Sequence, residues 1–239
     1  MRVTNNIYVL SGSYYSAVNH SPALGDVYGI RTTHGMILID CGVEASGPAL
    51  IRENLAYYGI DAPITHLIIT HAHHDHCGGA REIQDTGAKV IVGREDSVYC
   101  TNGGVQGLYT PFDNSHIFPE FTPDMIIDDD SALTIDGLSF DFIKIPGHTP
   151  GSMAVRVNID GRTALFTGDS LQPDGTLLNS VTFGWQGDPS FDRKALVNSI
   201  MKLMKYETDM ILPGHGKICL KNGTDLLRHA AQTAFLTLR

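Results

Sequence analysis

The sequence lacks the marks of several protein classes. It has four cysteines in 239 residues, Cys41, Cys77, Cys100 and Cys219, well separated and without a CxxC pair. That pattern reads as reduced thiols in a cytosolic protein, not as a disulfide framework. Basic residues are outnumbered, 17 Lys and Arg against 26 Asp and Glu, for a formal net charge of −9. A phosphate-backbone partner needs a clustered basic face, so nucleic acid is disfavoured. No apolar run reaches the roughly 18 residues of a membrane span. The opening Met1-Arg2-Val3-Thr4-Asn5-Asn6 has no charged region leading into a long apolar stretch. No signal peptide is therefore expected, and the expected location is the cytoplasm. No G-x-S-x-G motif occurs, so a covalent serine mechanism is not suggested.

What is present is a globular composition, 42% apolar and 18% charged. A chain of this length can bury a sizeable core, and a single domain over 1–239 is expected. The richest stretch is Thr70-His71-Ala72-His73-His74-Asp75-His76-Cys77-Gly78-Gly79. Its imidazoles and carboxylate are ligand types that suit Zn²⁺ and related divalent ions. The apolar, β-rich run 64–70 before it reads as a buried strand, and 80–84 after it as the start of a helix. Ligands in α/β proteins commonly sit at that strand-to-helix turn. Plainer roles exist: Asp75 could cap a helix, and one histidine alone is usually packed or solvated. The order His-x-His-x-Asp-His is more specific than either.

Three later turns carry matching chemistry: Pro146-Gly147-His148-Thr149-Pro150-Gly151, Thr167-Gly168-Asp169-Ser170 and Leu212-Pro213-Gly214-His215-Gly216. Asp40 closes the apolar segment Met36-Ile37-Leu38-Ile39. Together these five pieces, in this order, resemble the metallo-β-lactamase superfamily. The resemblance implies an α/β (α+β) fold, an αββα four-layer sandwich. It implies two divalent metal ions, zinc first, with iron or manganese also accommodated by His/Asp ligands. One metal would take His71, His73 and His148, the other Asp75, His76 and His215, with Asp169 bridging. Asp40 would orient a ligand, as carboxylates behind metal-bound histidines do. Each of Gly147, Gly168 and Gly214 precedes a candidate ligand, and glycine permits the close backbone approach of a crowded turn.

The implied activity is hydrolysis of an ester, thioester or lactone-type bond of a small molecule by a metal-bridging hydroxide. Asp75 could also relay a proton. The aspartate at 169 and the absent signal place the chain nearer the glyoxalase II and lactonase-like branches than the secreted β-lactamases. With 24 residues after His215, a glutathione thioester is disfavoured. Phosphodiester or β-lactam hydrolysis, and a mononuclear iron oxygenase of the same fold, are the alternatives. The oligomeric state is open, a homodimer among the options.

Along the rest of the chain, helices are expected at 46–58, 80–85, 191–206 and 224–238, and strands at 7–10, 26–32, 36–39, 89–92 and 209–212. Hairpins turn at Asp136-Gly137 and across Ile159-Asp160-Gly161. Tyr14 and Tyr15 read as half-buried packing residues, His116 as solvated, Cys77 as a small packed residue, and the methionines of 191–206 as core. The irregular stretch Thr101–Pro123, with scattered aromatics, is expected to line the pocket and set substrate choice.

Overall fold

A computed structural model describes residues 1–12, 17, 24–104, 117–173 and 181–238. The expectations for Tyr14, Tyr15, His116 and the 105–116 part of the pocket loop lie outside the described residues. The chain divides into two compact units, Met1–Asp128 and Asp129–Arg239.

The first unit holds a six-stranded sheet: β1 (Ile7–Ser11), β2 (Val27–Arg31), β3 (Met36–Ile39), β4 (Ile64–Ile68), β5 (Lys89–Gly93) and β6 (Met125–Ile127), side by side in that order. The pairs β1/β2 and β2/β3 are antiparallel; β3 through β6 pair in parallel. Parallel neighbours need a crossover, and the chain supplies α1 (Ser46–Tyr57) between β3 and β4. Between β4 and β5 it supplies α2 (His74–Cys77) and α3 (Ala80–Asp85), and α4 (Ser97–Thr101) follows β5. Strands buried on both faces read as unbroken apolar runs. Met-Ile-Leu-Ile in β3 is such a run: Met36 and Leu38 join the cluster containing Ile51, Leu55, Ala80 and Ile83, and Ile37 and Ile39 on the other face are also buried. Helix α1 stops at Gly59, whose φ is 64°. Gly59 N–H donates to Ala56 O and Ile60 N–H to Leu55 O, the paired bonds that close a helix through a left-handed glycine. Phe118 and Phe121 are buried in the same core, so these two aromatics of the 101–123 stretch are packing residues.

The second unit contains β7 (Ser131–Ile135), β8 (Leu138–Lys144), β9 (Met153–Ile159), β10 (Arg162–Gly168), the short pair β11 (Gln172–Pro173) and β12 (Val181–Thr182), α5 (Arg193–Leu203), β13 (Met210–Pro213) and α6 (Gly223–Thr237). Its main sheet runs β13-β10-β9-β8-β7, with only β10/β13 parallel. Both hairpins use a two-residue turn with positive φ at each position, Asp136 (49°) with Gly137 (83°) and Asp160 (55°) with Gly161 (71°). That backbone twist matches the strands it joins. Helices α5 and α6 bury Leu196, Ile200, Leu203, Leu226, Leu227 and Ala230 against each other and the sheet. Met201 departs from the expected core stripe. It is 41% exposed on the outer flank of α5, while Ile200 beside it is fully buried. Among the described residues no helix is long and apolar enough to cross a membrane.

Candidate metal centre

In the first unit the histidine stretch follows β4. His71 and His73 lie in the extended segment after the strand, and Asp75 and His76 lie in the single turn of α2. A helical turn puts successive side chains about 100° apart at the backbone, yet the Asp75 carboxylate and the His76 ring bend back toward one another. His71, His73 and His76 are buried, and Asp75 is partly open. His71 Nε2 faces His73 Nδ1 at 3.1 Å. Two imidazole nitrogens bound to one tetrahedral zinc would lie about 3.3 Å apart, given bonds near 2.05 Å. The pair therefore has the spacing that a shared cation needs. His76 Nε2 stands 3.5 Å from Asp75 Oδ2.

Behind these groups is Asp40, at the end of β3 with φ 61°. Its Oδ1 accepts from the Thr70 backbone N–H at 2.7 Å, and its Oδ2 accepts from the Thr70 hydroxyl at 2.8 Å. His76 Nδ1 lies 2.9 Å from the same Oδ2. An ionised carboxylate only accepts, so His76 carries its proton on Nδ1 there and turns a lone pair outward on Nε2. Burial pushes the Asp40 carboxyl above its ordinary range, and the His76 and Thr70 donors pull it part of the way back. Cys77 is fully buried, and burial drives its thiol well above the usual value. That is the chemistry of a packed, unreactive cysteine.

Asp96, which the sequence reading did not single out, is fully buried after β5. Its Oδ2 accepts from the Ala72 N–H at 2.8 Å, between His71 and His73. Its position just past a parallel strand was the only available signal.

In the second unit, His148 follows β8, Asp169 directly follows β10 and His215 follows β13. Asp169 Oδ2 lies 3.7 Å from His148 Nε2 and 3.6 Å from His215 Nε2. One carboxylate oxygen thus stands between two imidazoles. The turns that deliver these groups require glycine. Gly147 has φ 140°, and a Cβ there would meet the Leu196 backbone of α5 at 2.4 Å. Gly168 has φ 50°. Thr149 N–H donates to Ser152 Oγ at 3.0 Å, and Ser199 Oγ donates to Pro146 O at 2.7 Å, tying the His148 turn to β9 and α5.

Against known proteins, residues 21–215 match the model of the Metallo-beta-lactamase superfamily. The chain belongs to that superfamily. It is a metal-dependent hydrolase of the metallo-β-lactamase fold, with His/Asp clusters suited to divalent metal. Among relatives of this metallo-β-lactamase-fold chain, the probable metallo-hydrolase YflN of Bacillus subtilis is 27% identical over 206 residues, 77% of this chain and 76% of that one. The hydroxyacylglutathione hydrolase GloC of Haemophilus influenzae is 29% identical over 182 residues, 75% of this chain and 79% of its own. Similar solved structures include a Cronobacter sakazakii metallo-β-lactamase with a HARLDQ motif, at TM-score 0.76 and 22% identity, covering 99% of this chain and 91% of that one. FEZ-1 from Legionella gormanii superposes at TM-score 0.75 and 22% identity, covering 100% and 94%. At that identity these structures speak to the fold alone.

Proposed function

We propose that the chain is a dinuclear hydrolase of a small-molecule ester, thioester or lactone, acting as one functional domain over 1–239. His71, His73 and His148 would hold one ion and Asp75, His76 and His215 the other, with Asp169 shared. The observation that carries this reading is the Asp169 carboxylate set between the His148 and His215 imidazoles. A carboxylate in that place suits a bridge between two cations, and it offsets part of their charge. Bound divalent ions, zinc first, would supply a hydrolytic nucleophile from water near neutral pH and Lewis acidity toward the scissile carbonyl. This chain's own part is positional. Asp40 holds the proton on His76 Nδ1 and so keeps Nε2 available for a cation. Asp75, partly open to solvent, would accept a proton. Asp96 and Thr70 fix the backbone on which His71 and His73 sit. The likeness to YflN supports metal-dependent hydrolysis, and the likeness to GloC, a hydroxyacylglutathione hydrolase, brings acyl thioesters forward as substrates.

The test is elemental analysis of protein purified without added metal, followed by a screen of esters, thioesters and lactones. We expect two zinc equivalents per chain, falling by about half or more in Asp169→Ala and His71→Ala, and turnover on at least one carbonyl class. A single iron with no second metal would move the assignment to an oxygenase.

A further inference from the structure

The segment 183–192 is a strap tied at both ends to candidate ligand turns. At its start, Gly184 N–H donates to Asp169 O at 2.9 Å. At its end, Asp192 N–H donates to Gly147 O, next to His148, also at 2.9 Å. Its middle is pinned by buried Asp188, whose Oδ1 accepts from the Ser190 N–H and hydroxyl at 2.6 Å each. Gly184 lies so close that a Cβ there would sit 2.4 Å from Asp169 O and 2.9 Å from His148 Nδ1. Phe183, on one side of Gly184, packs against the second core. Trp185, on the other side, is 50% exposed. Its indole lies across Gly187, where a Cβ would meet ring atoms at 2.3 to 3.0 Å. One face or edge of the ring thus packs against the Gly187 backbone.

A large apolar side chain left half in water is the informative exception to burial. Here it is one residue from a glycine that touches both Asp169 and His148. Binding pockets recruit such rings because they give wide contact area at little entropic cost. We propose that Trp185 forms a wall of the substrate site and that the group it receives is apolar, the alkyl or aryl acyl portion of the ester or thioester. This rests on the hydrolase reading above. Trp185 would act by contact with the acyl group, while the ions and their ligands serve every substrate alike.

Trp185 is the only tryptophan in the chain, so intrinsic fluorescence reports on this one ring. The experiment titrates the full-length, metal-loaded protein with acetate, hexanoate and phenylacetate, with calorimetry scoring binding independently. It also compares hydrolysis of acetyl and hexanoyl thioesters by the wild type, Trp185→Ala and Trp185→Phe at equal metal content. We expect saturable fluorescence changes with hexanoate and phenylacetate, and weaker binding of acetate. We expect the hexanoyl-to-acetyl ratio of kcat/KM to fall about tenfold in Trp185→Ala, mainly through KM, and to stay within about threefold of wild type in Trp185→Phe. An unchanged ratio in a protein that hydrolyses both thioesters would overturn the proposal and leave the hydrolase reading standing. If neither thioester is turned over, the hydrolase reading fails on these substrates and the titration decides the rest. A Trp185 signal on binding hexanoate supports the wall, and calorimetric binding with a silent ring overturns it.

Discussion

A single carboxylate, Asp40, links strand end, loop and imidazole. It accepts from two Thr70 donors and faces His76 Nδ1, all buried. Removing it strands those donors and frees the His76 ring to change tautomer or rotate. Partners behind metal-bound histidines are typically worth about 10–100-fold in metal affinity. Asp40→Ala is therefore expected to weaken metal binding by about that factor, read by competition with a chromogenic chelator. Unchanged affinity in the folded variant would mean that His76 does not depend on this contact. Asp96 anchors the loop differently, through the Ala72 backbone N–H.

At the scale of elements, the parallel edge β5/β6 is held by a side chain as well as by its ladder. Asp124, just before β6, accepts from the Val90 N–H at 3.0 Å and from Gln84 Nε2 at 2.9 Å, and pairs with Lys89 Nζ at 3.0 Å. Partial burial pushes its carboxyl up, but these three donors outweigh that and hold it below the usual range. A depressed folded pKa means the stabilisation is present above the unfolded value, near 3.9, and is lost as pH falls through the lower folded value. Asp124→Asn is expected to cost no more than about 1 kcal/mol at pH 7, since the site is partly solvated. The gap from wild type should close as pH falls through that lower folded value, where the aspartate too becomes neutral. Denaturant melts at pH 7 and at low pH measure both; a constant gap would assign the cost to packing instead of charge.

For the whole molecule, each compact unit carries candidate ligand residues, four in the first and three in the second. Anything that binds only the folded chain raises its stability by mass action, about 2.7 kcal/mol at a hundredfold excess over Kd. For a chain of this size that corresponds to about 5–10 °C in Tm. Stripping bound metal with a chelator is expected to lower Tm by that amount, and adding zinc back to restore it. A Tm indifferent to chelation in protein shown to carry metal would argue against binding linked to folding.

Much of this was legible in the chain itself. Apolar runs at 36–39 and 89–92 marked strands because both faces are buried. Asp136-Gly137 marked its hairpin because few residue pairs adopt positive φ twice in succession. The helices expected at 46–58 and 191–206 showed in their helical apolar spacing, and the His-x-His-x-Asp-His order pointed to metal. These are short-range signals, in which a residue's neighbours along the chain determine its conformation or its chemistry. The Asp40–Thr70–His76 contacts, the Asp96 anchor and the 183–192 strap join residues 15 to 45 positions apart. No local period encodes such pairings. Met201 failed for a related reason, since helical spacing names a stripe but only the packing of α5 on α6 fixes where its edge falls. The sequence by itself marked most of the elements and a set of candidate ligand types. Tertiary structure alone decided which buried acceptor meets which donor, because that choice depends on strands and turns brought together from distant parts of the chain.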